Sequence, residues 1–205
     1  MPMDTNPEKK MKAALPLILS AALATPFLAG CTAAVIGGTA ATVAVIHDRR
    51  TTGTIIEDQN IKLRVRTLLS EHPEINSRSN ISVTSYNQRV LLYGQTEDAA
   101  LADTFAQKVS KLPKVNAVYN EVIEGARSDA WDYSKDTALV TKIKTLLVNV
   151  KVEDFDPTRV KVAASDGHIY LMGLVTPDEG AAVVEYVRGV SGVKRVVEIF
   201  EYVST

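Results

Sequence analysis

The chain has 205 residues, with 23 Lys and Arg against 24 Asp and Glu, three His and one Cys. A formal charge of -1 removes the bulk electrostatic case for nucleic-acid binding, which needs a basic face or tail. Three His and one Cys are too few for a zinc or disulfide framework, and 46% hydrophobic residues mark a folded chain of one medium domain or two small ones.

Lys9, Lys10 and Lys12 precede an uncharged run, 13–29, which Pro16 and Pro26 interrupt. That is the order of an export signal, and the run falls short of the roughly 20 apolar residues of a permanent span. It ends Leu28-Ala29-Gly30-Cys31, which resembles the lipobox of bacterial lipoproteins at all four positions. The resemblance implies a diacylglycerol on the Cys31 thiol, cleavage before it and acylation of the new amine. A lone exported thiol is otherwise unusual in an oxidising compartment. Two acyl chains already anchor firmly, each buried CH₂ adding about 0.8 kcal/mol. Thr32 rather than Asp follows Cys31; in the Gram-negative sorting pattern this implies the outer membrane, with the protein lipid-anchored and facing the periplasm.

Residues 33–46 are small and apolar, too short to span a bilayer, and Gly37-Gly38 opposes a stable helix. They either lie against the membrane or form a flexible tether. His47-Asp48-Arg49-Arg50 then turns the chain to water, and 51–57 reads as linker.

The remainder is a repeat. Asp58 pairs with Asp136, Thr67-Leu68-Leu69 with Thr145-Leu146-Leu147, Val83 with Val162, Leu92 with Leu171, Gly94 with Gly173, and Val115 and Val118 with Val193 and Val196. Each copy opens with a helix. Ile61, Val65, Leu68 and Leu69 recur at i, i+4, i+7 and i+8, as do Leu139, Ile143, Leu146 and Leu147. Asp58 or Asn60, and Ser134 or Asp136, are the candidate N-caps. Strands follow at 81–86 and 89–95, then at 160–165 and 168–175. Asp166-Gly167 is a strong hairpin turn, and Asn87-Gln88 a weaker one. Gly94 and Gly173 end the second strand, where the chain turns tightly or approaches another backbone. A second helix carries Ala99, Ala102, Ala106 and Val109 on one face; its counterpart opens Pro177-Asp178-Glu179 and carries Val183, Val187 and Val190. The last strands are 115–123 and 193–202. The order is αββαβ twice, an α+β fold with a three-stranded sheet and two helices on one of its faces. Units this small are marginal alone, so the copies should touch.

The hairpins Arg89-Val90-Leu91-Leu92-Tyr93-Gly94 and His168-Ile169-Tyr170-Leu171-Met172-Gly173, with Val115-Asn116-Ala117-Val118 and Val193-Lys194-Arg195-Val196, resemble the BON domain. The whole resembles a dual BON-domain lipoprotein: signal peptide 1–30, lipidated tether 31–53, first domain 54–124, linker or helix extension 125–133, second domain 134–205. The resemblance implies a non-enzymatic binding protein that supports envelope integrity, binds anionic phospholipid and gathers at division sites.

No catalytic constellation accompanies this pattern. His47, His72 and His168 are scattered, and no nucleophile elbow or phosphate-cradling glycine loop occurs. The acidic pairs Glu97-Asp98, Asp154-Asp156 and Asp178-Glu179 fall at helix starts or loops, where caps and solvated charge account for them. No catalytic residue, metal or cofactor is expected.

The better candidate is a membrane face on the second domain. With 131–149 helical, capped by Ser128 or Asp129, the residues Trp131, Lys135, Ala138, Lys142 and Asn149 form a stripe about 110° round from the core stripe. Trp suits the bilayer interface and Lys suits anionic headgroups, and the resemblance puts lipid contact on the same helix. The alternative is that Trp131 anchors the second domain to the first. Lys144 falls on neither stripe, and Tyr133 points elsewhere. Arg188, Lys194 and Arg195 either extend the lipid surface or are solvated strand-edge charge. The competing function is an adaptor that binds envelope proteins of outer-membrane assembly or cell-wall machinery.

Overall fold

A computed structural model describes residues 48–126 and 130–204, without the side chains of Ala130 and Trp131. The signal segment, Cys31 and the apolar tether lie outside the described residues.

The order is α1 (Thr52–Ser70), α2 (Pro73–Asn76), β1 (Ser79–Tyr86), β2 (Arg89–Thr96), α3 (Ala99–Val109), β3 (Ala117–Glu124), α4 (Ala130–Leu147), a 3₁₀ turn (Pro157–Arg159), β4 (Val160–Ser165), β5 (His168–Val175), α5 (Pro177–Arg188) and β6 (Arg195–Tyr202). The predicted αββαβ order therefore recurs, with one short turn added after the first helix of each copy. Each copy forms its own three-stranded sheet, β1-β2-β3 or β4-β5-β6. The first pair of each is antiparallel and the second parallel.

The first helix starts earlier than its apolar period predicts. The 51–57 stretch is not linker: Thr51 is extended and its hydroxyl accepts from the Thr54 N–H at 3.1 Å, capping α1. Asp58 and Asn60 therefore lie inside α1, and Ser134 and Asp136 lie inside α4, so none of them is an N-cap. Ser128 and Asp129 fall outside the described residues. Asn149 lies beyond the end of α4 and drops out of the predicted stripe.

The paired aspartates serve a different purpose. Asp58 accepts from the Asn87 and Gln88 N–H groups, both at 2.8 Å. Asp136 accepts from those of Asp166 and Gly167 at 2.8 and 3.0 Å. Each carboxylate thus ties the first helix to the tip of its own hairpin. Both tips carry two consecutive residues at positive φ, 51° and 62° in the first and 48° and 72° in the second, as a type I′ turn requires. The first has no glycine, so its strain falls on Asn87 and Gln88 and is offset by Asp58.

Gly94 and Gly173 sit two residues inside β2 and β5 rather than at their ends. A Cβ there would run into the carbonyl oxygen of Asn80 or Arg159, so the predicted close approach of backbone is what both positions require.

The central strands are apolar on both faces, and two different cores explain it. Val90 and Leu92 pack under α1 and α3 with Ile61, Val65 and Phe105, while Ile169 and Leu171 pack with Ile143, Leu147 and Val183. The alternate residues point the other way, where Leu91, Tyr170, Met172 and Leu174 form a third core shared by the domains. The two sheets thus meet through the faces that the helices leave bare. Polar contacts frame that interface: Gln95 Nε2 donates to Ser165 Oγ at 2.8 Å, and the Tyr86 and Tyr170 hydroxyls donate to the carbonyls of Arg159 and Glu121 at 3.1 and 3.2 Å.

Candidate functional site

Helix α4 buries Ile143 and Leu147 in the second domain's core, with Leu139 and Leu146 packed at its edge. That fixes the helix's rotation and turns Lys135, Ala138 and Lys142 to the outside, all three exposed. They line an open groove of about 490 Å³ whose other wall is the β4–β5 hairpin and the loop before β6, including Asp166, Ser191, Gly192 and Lys194. No lining residue belongs to the first domain, and the exposure of all three positions shows that it does not cover them. Gly192, at φ +102°, keeps the far wall low beside Leu139. Trp131 lies in the first turn of α4, and its side chain is outside the described residues.

The groove is not a bare cationic strip. Lys135 Nζ is 3.2 Å from Asp132 Oδ1, Lys194 Nζ is 2.6 Å from Asp166 Oδ1, and Lys142 Nζ donates to the Ser191 carbonyl at 3.4 Å. Exposed pairs like these hold by about 0–1 kcal/mol, so an anionic headgroup competes with the aspartates on near-equal terms. Of the other predicted cations, Arg188 pairs with Glu198 at 3.2 Å and Arg195 lies 3.9 Å from Glu121. Arg188 ends α5 and Arg195 opens β6, and neither lines the groove.

The acidic pairs are structural. Asp98 caps α3 through the Ala100 N–H, Asp156 caps the 3₁₀ turn through the Thr158 N–H, and Glu179 closes a capping box with Thr176. His72 Nδ1 contacts Glu74 at 2.8 Å, far in sequence from His168 at the start of β5. Among the described residues no group of three His, Cys, Asp or Glu is arranged to hold a metal.

Sequence reasoning missed one polar cluster. Asp48-Arg49-Arg50 does not simply turn the chain to water. Arg49 Nη1 donates to the Leu174 carbonyl at 2.9 Å and to Glu179 at 2.5 Å, and Arg159 reaches the same carboxylate at 2.9 Å. Arg50 bonds Asp48 at 2.6 Å and Asp58 at 2.8 Å, and its guanidinium lies 3.7 Å over the Tyr86 ring. Adjacent arginines therefore grip opposite domains where the tether enters. Burial pushes the Glu179 carboxyl up, but Arg49, the Thr176 N–H and Arg159 outweigh it and hold the group below its usual range. Asp48 is likewise held low: burial opposes ionisation, and Arg50 overrides it. The Thr176-Pro177-Asp178-Glu179 box was readable in the sequence, but nothing local tied Glu179 to an arginine 130 positions away.

The paired sheets and duplicated hairpin staples define a tandem α+β module, and comparison with known proteins gives its family. The BON domain family matches residues 57–125 and 135–203. The chain belongs to the dual BON-domain lipoproteins of the outer membrane. It is 35% identical over 201 residues to Outer membrane lipoprotein DolP of Haemophilus influenzae, covering 98% of this chain and 99% of that one. It is 31% identical over 157 residues to the 21 kDa hemolysin of Actinobacillus pleuropneumoniae, covering 76% and 79%. Among solved structures, the C-terminal domain of CdsD from the Chlamydia trachomatis type III secretion system aligns at 18% identity and a TM-score of 0.28, covering 72% of this chain and 67% of that one.

Proposed function

We propose that this protein is a non-enzymatic envelope component, anchored by acyl chains on Cys31 and facing the periplasm, whose second BON domain binds anionic phospholipid and so supports outer-membrane integrity, including at division sites. The contact face is Trp131, Lys135, Ala138 and Lys142. The observation that carries this reading is the exposure of Lys135, Ala138 and Lys142 on one groove that the first domain leaves open. Each lysine near an anionic surface contributes about 1 kcal/mol. That is weak for a free protein and sufficient for one whose anchor already holds it at high local lipid concentration. The test is co-sedimentation of the unlipidated Cys31→Ser mature chain with phosphatidylcholine vesicles, with and without phosphatidylglycerol or cardiolipin. Wild type pellets with the anionic vesicles, less so as salt rises, and the W131A/K135E/K142E variant stays in the supernatant. Equal pelleting of the two proteins contradicts the assignment of this face. Binding that survives high salt and needs an envelope protein instead favours an adaptor role.

A further inference from the structure

We infer that the seam between the two domains holds a second anion site, distinct from the proposed lipid face, which takes a compact ligand carrying two or more phosphate groups. The seam contains a depression of about 420 Å³ between α1 and α4, floored by β1 and β4. Lys62 and Arg66 reach it from α1, Lys144 from α4, Lys161 from β4, with Tyr93 and Tyr133 beside them.

Three features single it out. First, the cations come from both domains and from separate elements, so no single local run of charge explains the cluster. Arg66 and Lys144 stand at equivalent positions of the repeat, each directly before the matching Thr-Leu-Leu, and the packing of the sheets turns both into one depression. Second, none of the four has an ion-pair or side-chain hydrogen-bond partner among the described residues. The acidic lining residue, Asp136, is committed to the β4–β5 turn. Nearby Asp58 is committed to Arg50, Ser85 and the β1–β2 turn. Third, the cations oppose one another. Lys62 and Arg66 are a like-charged i,i+4 pair. Burial lowers the Lys161 pKa, and repulsion from Lys62, Lys144 and Arg50 lowers it further; burial and Arg66 do the same to Lys62.

Asp58 attracts both lysines without cancelling these shifts, and the repulsion that remains, softened by solvent at exposed Arg66, Lys144 and Lys161, is one that a bound polyanion removes. The chemistry on offer suits phosphate: a planar Arg fork for two oxygens and ammonium groups around it. Two phosphates are needed because the cations enter from both walls. The volume is that of a small-molecule site. A soluble diphosphate and a two-phosphate lipid headgroup present the same chemistry.

Calorimetry on the full lipoprotein in detergent micelles separates these sources. Pyrophosphate is titrated against inorganic phosphate. Cardiolipin is titrated against phosphatidylcholine, in a K135Q/K142Q background so that the lipid face does not contribute. At least one two-phosphate probe should bind saturably, and K144Q/K161Q should weaken it about tenfold. K135Q/K142Q should leave pyrophosphate binding unchanged. Pyrophosphate binding marks a soluble ligand, and cardiolipin binding alone marks a headgroup. Failure of both probes, or equal affinity in K144Q/K161Q, overturns the site whatever becomes of the lipid face. Thermal melting supplies a second readout: K144Q/K161Q should melt at or above the wild-type temperature, since it relieves repulsion. A lower melting temperature gives these lysines a structural role and likewise overturns the proposal.

Discussion

Replacing Asp58 by alanine should cost far more than replacing its repeat partner Asp136. Asp58 is 1% exposed and accepts four hydrogen bonds: two turn N–H groups at 2.8 Å, Ser85 Oγ at 2.6 Å and Arg50 at 2.8 Å. Truncation strands these donors in a buried setting. An unsatisfied buried donor costs about 1–3 kcal/mol and a broken buried ion pair about 3–5 kcal/mol, and the terms overlap. A loss of about 4 kcal/mol is expected, large beside a total stability of about 5–15 kcal/mol. Asp136 holds only the two turn N–H groups at a half-exposed site that water can enter, and Gly167 relieves half of its turn. Its loss should cost about 1 kcal/mol. Urea unfolding of the unlipidated mature chain, followed by circular dichroism, reads both as midpoint shifts at constant m. Equal shifts for D58A and D136A would refute the argument that burial and the glycine-free turn set the difference.

The ionised Glu179 carboxylate gives an acid limb. Its folded pKa lies below the ordinary 4.5, so its contribution is complete above that value and is lost as pH falls through the lowered one. E179Q should therefore flatten stability against pH in that window; an unchanged slope refutes it. Gly94→Ala should destabilise by more than about 1 kcal/mol, because φ is +127° and the Asn80 carbonyl occupies the methyl's place; a neutral effect in the same urea assay contradicts this. K135E/K142E should leave stability within about 0.5 kcal/mol, as exposed residues do, which a melting curve checks. Exported behind a signal that is cleaved without lipidation, the mature chain carrying Cys31→Ser should leave the membrane fraction in a high-salt wash, and retention after that wash contradicts acyl anchoring.

The repeat, the strand pairs and the helix faces were legible because each rests on local periodicity. Leu91, Tyr170 and Met172 show where local reading ends: their apolar character was plain, but the partner that buries them is the other copy of the same sheet. The start of α1 escaped because Thr51 caps a polar first turn with no apolar period to announce it. Asp58 and Asp136 were correctly matched across the repeat and given the wrong task, since a carboxylate before an apolar helix stripe also fits an N-cap. Lys144 falls on neither stripe because one helix wheel cannot show a groove made with α1. On α4, the exposure of Lys135, Ala138 and Lys142 was legible from the helix angle, and their aspartate neighbours Asp132 and Asp166 were not weighed.

The most direct measurement is a spin label at Ala138→Cys in the Cys31→Ser protein, which then has no other thiol, with collision by oxygen and a water-soluble nickel complex on phosphatidylglycerol vesicles. The account predicts that vesicles make this label oxygen-accessible and nickel-protected, while a label at exposed Ser110 of the first domain stays aqueous. A label at position 138 that remains as nickel-accessible on vesicles as in buffer would contradict it.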